Sequence, residues 1–320
     1  MLMLLVFIRL NGDASTFIAQ VKERDAVAAF GGASWSEAEK RELYNKIVAE
    51  SELRAIPPVN ARIDRVWRAI PGYNGLAVDI ERTYEAALRA PRGAIPYRYK
   101  EIEPSVKLEQ LGPQPIYRGN PDKKMVSFMV NVAWGNEYLE PILSTFKREN
   151  VKATFFLDGT WLKNNKELAA RIAEEGHELS NHAYSHPDMA SLTRAQQYAQ
   201  ISKTEELLKA MNVANKWFAP PSGSYNAATV QVAREQGLMT VLWTIDTVDW
   251  RNPPAEGVIR KIDAKLHPGA LILMHPTATS RDALAGMIAS AKAKGYAIGT
   301  VSETLSPARL PEPVEGAAAF

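Results

Sequence analysis

The chain has 320 residues, of which 46% are hydrophobic, enough to bury a large core and too apolar for wholesale disorder. With 38 Lys+Arg against 36 Asp+Glu the net charge is +2, so the chain carries no single-sign field and dedicated nucleic-acid binding is not indicated. Cysteine is absent, which removes any disulfide framework, thiolate ligand or thiol nucleophile.

The chain opens on Met-Leu-Met-Leu-Leu-Val-Phe-Ile, an apolar run too short to span a bilayer, followed by Arg9. Residues 1–30 fit a partial signal or anchor segment and, as an equal alternative, a buried first strand. No basic region precedes the run and no Ala-x-Ala site closes it. Within 12–55 one amphipathic helix is expected, capped near Ser34 or Ser36, with Leu43 and Ile47 on one side and Glu37, Arg41 and Asn45 on the other. After Ile56-Pro57-Pro58, a short strand pattern (Ala61, Ile63, Val66), a turn at Pro71–Gly75 and a helical Val78–Leu88 read as a small α+β appendage. Proline and charge mark 90–124 as a linker, so the appendage and its linker together take residues 31–124.

From Met125 apolar strands alternate with amphipathic helices, the signature of an α/β domain with a mostly parallel sheet. Strands are expected at Val126–Val132, Ala153–Leu157, Trp217–Ala219, Thr240–Ile245, Ala270–Met274 and Ala297–Val301. Helices are expected at Tyr138–Glu149, Leu162–Glu175, Thr193–Met211, Ala227–Gln236, Glu256–Leu266 and Ala283–Lys294. Such repetition can close into a barrel over 125–305, leaving 306–320 as a flexible tail. Polar or Gly/Pro chemistry sits at the carboxyl ends of these strands, the face on which such barrels build active sites: Asn131–Glu137, His182–Asp188, Ala219–Asn226, Asp246–Trp250 and His275.

His182 and His186 are four apart, a spacing that lets two imidazoles meet one metal ion in a helix or a tight turn. Alone such a pair is more often a feature of surface or packing than a metal site. In combination the strand-end segments resemble the polysaccharide deacetylases with a NodB-homology domain, carbohydrate esterase family four. The resemblance rests on Lys152–Leu157, on Gly176–His182 with Ser185-His186-Pro187-Asp188, on Pro220–Asn226, on Leu242–Trp250 and on Leu271–His275, and it covers about 125–305.

The resemblance implies a distorted (β/α) barrel and metal-dependent hydrolysis of N-acetyl or O-acetyl groups on a polysaccharide such as peptidoglycan, chitin or xylan. By the same resemblance His182 and His186 hold a divalent metal, zinc by default, that polarises the acetyl carbonyl. His275 is then the general acid, with Asp246 or Asp249 beside it. A backbone N–H near Ser222 would face the developing oxyanion, and Tyr225 and Trp250 would line the sugar site. The implied partner is an acetylated glycan or peptidoglycan fragment near a membrane or cell wall. The implied location is extracytoplasmic, with the cytoplasm as alternative.

Two departures stand out. The family's first barrel strand usually ends in Thr-Phe-Asp-Asp-Gly, whose first Asp is the general base and second a metal ligand. Here the strand reads Asn131-Val132-Ala133-Trp134-Gly135-Asn136, similar to a branch with Asp-x-x-Trp-Gly-Asp, which puts Asn131 at the base and makes Asn136 the candidate third ligand. An amide can orient a water but cannot take its proton. Ala219 stands where an arginine normally pairs with that base, so both charges are missing together and no buried ion is left unpaired. The expectation is a deacetylase of a cell-wall type polysaccharide that runs on metal hydroxide with another base such as Glu137 or Asp158, or, as the alternative, a catalytically silent glycan-binding relative.

Overall fold

The computed structural model describes residues 35–311, so the segment expected at 1–30 lies outside the described residues. Among the described residues the chain divides into two compact units, one of 35–54 with 78–99 and one of 55–77 with 100–311.

The smaller unit carries two helices, α1 (Glu37–Leu53) and α2 (Ile80–Arg89). Ser36 starts α1 through a capping box with Glu39: each residue's side chain accepts the other's backbone N–H. Asp79 starts α2 by accepting from Arg82 N. Ile47, Val78 and Ala87 form this unit's core, with Leu43 and Tyr84 packed against it.

The larger unit opens with the hairpin β1 (Arg62–Asp64) and β2 (Arg68–Ile70). Short strands β3 (Gly75–Val78) and β4 (Tyr99–Ile102) and a 3₁₀ turn at Leu108–Leu111 lead to the barrel. There the order is β5 (Met125–Val132), α3 (Asn136–Arg148), β6 (Thr154–Leu157), α4 (Gly159–Asn164), α5 (Lys166–Glu174), β7 (Glu178–Asn181), α6 (Arg194–Ala210), β8 (Trp217–Phe218) and α7 (Ala227–Glu235). The chain continues through β9 (Met239–Thr240), β10 (Ile245–Asp246), α8 (Ala255–Lys265), β11 (Leu271–Met274), α9 (Ala278–Ala293), β12 (Ala297–Gly299) and α10 (Val301–Leu305).

The barrel strands run parallel in the order β10-β11-β5-β6-β7-β8-β9, with β12 also pairing β5. This curled sheet is the distorted (β/α) barrel that the alternating pattern predicts. β5 is buried at every residue because helices cover its outside and neighbouring strands fill its inside. Phe128, Val130, Phe146, Phe155 and Ile272 belong to one core between sheet and helices, while Met129, Phe156, Ala219 and Leu271 belong to another. Asn131 pairs in register with Phe156 and Val132 with Leu157, so the carboxyl ends of β5 and β6 lie side by side.

Three expectations need correction. The helix over Leu162–Glu175 is two helices broken at Asn165, whose backbone leaves the helical region. The strand over Thr240–Ile245 is two short strands, β9 and β10. β7 was hidden in the polar run Glu178–Asn181, yet its Leu179, Ser180 and Asn181 are buried. Of the tail expected from 306, Pro307 accepts the Asn74 N–H and Arg309 donates to the Asn74 carbonyl, while 312–320 lie outside the described residues.

Candidate functional site

The strand ends converge on a cleft of about 360 Å³ whose lining includes Asn131, Trp134, His186, Ser222, Asp246 and His275, with Trp243 and Trp250 as indole walls. Asn131 sits one residue before the end of β5 and is 3% exposed, and its Oδ1 has no hydrogen-bond partner. A buried amide oxygen left unpaired costs free energy unless a ligand or water meets it.

His182 follows β7, and its backbone N–H is held by the Leu157 carbonyl. Its Nδ1 lies 2.7 Å from the Ala219 carbonyl oxygen. A carbonyl only accepts, so Nδ1 carries the proton and Nε2 is the bare nitrogen. Burial, reinforced by neighbouring His186, pushes the His182 pKa down to about 3, so the ring is neutral near pH 7. The His186 ring centroid is 5.2 Å from that of His182. Ala183 and His186 both take positive φ, 58° and 52°, and the turn is held by Thr204 Oγ1 on the Ala183 carbonyl and by Gln200 Oε1 on the Tyr184 and Ser185 N–H groups. A tight turn, not a helix, brings the pair together.

His275 follows β11. Its backbone N–H donates to Asp249 Oδ2 at 2.7 Å and its Nδ1 lies 2.8 Å from Asp249 Oδ1. Asp249 is fully buried and also accepts from Thr277 and Ser280. Burial alone would push this carboxyl up, but the hydrogen bonds and charge of His275, together with Ser280, hold it below the usual carboxylate range. The partner of His275 is therefore Asp249. Asp246 lines the cleft and spends Oδ1 on the Val248 N–H, 2.8 Å away.

Trp134, the tryptophan of the stretch similar to Asp-x-x-Trp-Gly-Asp but given no role from the sequence, lies parallel to the His275 ring, 5.9 Å between centroids and 10° between planes. The signals for it are that motif and its place between the end of β5 and Gly135. That glycine has φ 84°, and a Cβ there would sit 2.1 Å from the Pro276 carbonyl oxygen, so only glycine lets the loop press the indole onto the histidine. Trp134 and Trp250 are 47% and 50% exposed, and the Arg251 guanidinium lies over the Trp250 ring at 4.6 Å. Ser222 reaches the cleft on a left-handed turn, φ 53°.

Two candidates do not join the cleft. Asn136 opens α3, where its Oδ1 accepts the Trp161 indole N–H at 2.5 Å and its Nδ2 donates to Asn165 at 2.7 Å, so its donor atom is already used. Tyr225 turns its hydroxyl to that of Tyr117, 2.7 Å away, and is not among the cleft-lining residues. Of the alternative bases, Glu137 is exposed on α3 and Asp158 caps α4, accepting the Trp161 N–H; neither lines the cleft. With Asn131 at the first position of the usual Asp-Asp pair, the second is Val132, a buried side chain without a donor atom.

Among the described residues no three His, Cys, Asp or Glu side chains are grouped to hold a metal ion. Two imidazoles with a valine where the carboxylate would stand fall short of the three protein ligands of a catalytic zinc centre, so the donor set does not fit a resident zinc.

A family model described as polysaccharide deacetylase matches residues 118–241. The protein YlxY of Bacillus subtilis (strain 168) is 47% identical over 277 residues, covering 85% of this chain and 86% of its own length. A peptidoglycan-N-acetylglucosamine deacetylase of Bacillus cereus is 39% identical over 165 residues, 50% of this chain and 60% of that protein. Among solved structures, a CE4 family pseudoenzyme from Bacillus anthracis superimposes with a TM-score of 0.76 at 43% identity, covering 84% of this chain and 96% of that one. A mutant of the same pseudoenzyme, described as having restored enzymatic activity, gives a TM-score of 0.76 at 42% identity over 84% of this chain and 99% of the other.

Proposed function

The chain belongs to carbohydrate esterase family 4, the polysaccharide deacetylases, hydrolases of C–N bonds other than peptide bonds, and from that membership we propose that its cleft binds an N-acetylated glycan of the peptidoglycan type without turning it over. The carrying observation is the buried, unpartnered Oδ1 of Asn131 in a cleft walled by indoles. That oxygen is an acceptor waiting for an N–H, such as the amide N–H of an acetamido group, and the amide cannot act as a base at any ordinary pH. Val132 and Ala219 remove the other two groups that the family's hydrolysis uses, and all three positions are uncharged together. The peptidoglycan deacetylase among the relatives supports the choice of glycan. A place outside the cytoplasmic membrane follows from that ligand, and cell fractionation tests it.

The deciding experiment pairs calorimetric binding of N-acetylglucosamine oligomers and soluble peptidoglycan fragments with an acetate-release assay in the presence of zinc. Binding without acetate supports the reading; acetate release, or no binding to either glycan, overturns it. In the variant Asn131→Asp, Val132→Asp, Ala219→Arg, release is expected to appear. A second reading, hydrolysis by the unaltered chain, is favoured by the intact His275–Asp249 pair, and it requires acetate release that disappears in His275→Ala.

A further inference from the structure

The hairpin β1–β2 presents both cationic and apolar side chains to solvent. Over Arg62–Arg68 it carries three arginines, and among the described residues none of them has a carboxylate within ion-pair distance. The single acid, Asp64, is built into the turn: its Oδ1 accepts the N–H groups of Trp67 and Val66, 2.8 Å each, bonds that hold its carboxyl below the usual carboxylate range and charged. Between the arginines stand Ile63 and Val66, 54% and 69% exposed. The tip is held in place from below. Ala69 and Ile70 are buried, Trp67 meets the Tyr117 ring edge-on at 6.5 Å, and the Arg118 guanidinium lies 5.9 Å from the Trp67 ring.

We infer that this tip docks on an anionic lipid surface. The charge complementarity is direct: the three exposed guanidiniums of Arg62, Arg65 and Arg68 outnumber the one carboxylate of the tip, Asp64, which leaves the tip cationic. The apolar pair decides between a lipid surface and a soluble polyanion. A polyanion offers nothing to Ile63 and Val66, whereas a bilayer interface takes both from water and places the neighbouring indole at headgroup level. Among the described residues no helix is long and apolar enough to cross a membrane. A rigid tip also loses little conformational freedom on docking.

The test is co-sedimentation of the full chain with vesicles of mixed phosphatidylglycerol and phosphatidylcholine, against phosphatidylcholine alone. Each arginine near an anionic surface is worth roughly fivefold in partitioning, so Arg62→Gln, Arg65→Gln, Arg68→Gln together should lower it about a hundredfold, and Arg65→Gln alone about fivefold. Val66→Ser should lower it a few-fold. All of these positions are exposed, so unfolding temperature and glycan binding should not change. The proposal is overturned if the wild type ignores the anionic vesicles or binds the neutral ones equally, or if the triple variant sediments like wild type. Loss in the triple variant with no effect of Val66→Ser also overturns it, in favour of a soluble polyanion.

Discussion

Asn131→Asp isolates what the missing charges do to the fold. The position is 3% exposed, the native amide oxygen there is unpartnered, and the residue that would neutralise a new carboxylate is Ala219. An aspartate placed there must either stay charged without a cation or bind a proton. Protonation caps the cost: an ordinary pKa near 3.9 makes the neutral form cost about 4 kcal/mol at pH 7 and about 1 kcal/mol at pH 4.5. The sign follows from linkage. A pKa raised in the folded state means the native protein binds more protons than the unfolded chain, so stability relative to wild type is kept at low pH and lost as pH rises through the unfolded value toward neutrality. Urea unfolding of wild type and variant at pH 4.5 and pH 7 measures this. The expected deficit grows by about 3 kcal/mol between the two, and adding Ala219→Arg should flatten it. A deficit equal at both pH values, or none, would mean that Asn131 sits in an environment polar enough to carry a lone charge, and the argument from paired neutralisation would fail.

Three further outcomes are expected. His177 lies between Phe146 and Phe155 with Nδ1 accepting the Ala153 N–H, and burial pushes its pKa down to about 4. Its neutral form thus adds stability above pH 6.5 that is lost as pH falls toward 4, about 2 kcal/mol of it by pH 5, and His177→Gln should show a flatter acid limb in urea titrations. Gly135→Ala drives a Cβ to 2.1 Å from the Pro276 carbonyl at φ 84°, so it should destabilise by roughly 2 kcal/mol by thermal unfolding; an unchanged melting temperature would show the loop is free to shift. Trp134→Ala should weaken glycan binding roughly fivefold by calorimetry while leaving the fold intact, because the indole is half exposed on the cleft wall.

The barrel was legible because its strands are apolar runs between amphipathic helices, and β7 was missed because its sequence, Glu-Leu-Ser-Asn, is polar although three of its residues are buried and hydrogen-bonded inside the sheet. His182, His186, Asn131 and His275 were legible as residues at strand ends, where the backbone alone aims them at one face. The failures share a cause, since each turns on a partner distant in sequence. Asn136 is claimed by Trp161, and Tyr225 by Tyr117, 108 residues away. Asp246 and Asp249 both follow β10's start; the left-handed Val248 between them turns one carboxylate into the cleft and the other under the histidine.

The survival of the His275–Asp249 pair has a reason that does not require turnover. Asp249 keeps a fully buried charge because four donors satisfy it, and three of them are the His275 backbone N–H and the Thr277 and Ser280 hydroxyls around the start of α9. The carboxylate therefore ties the 249 turn to the end of β11 and the first turn of α9, whatever His275 does. At position 131 no comparable set of donors exists: the side chain's Oδ1 has none, and Ala219 offers no guanidinium. Buried charge persists in this cleft where the fold supplies donors for it and is missing where only a catalytic partner would have done so. On that argument Asp249→Asn should cost several times more stability than His275→Gln, since it disturbs four hydrogen bonds that reach two segments, the end of β11 and the start of α9, whereas the glutamine loses a single side-chain bond. Equal costs, measured by urea unfolding, would instead tie the carboxylate's retention to the imidazole and restore the pair as a mark of catalysis.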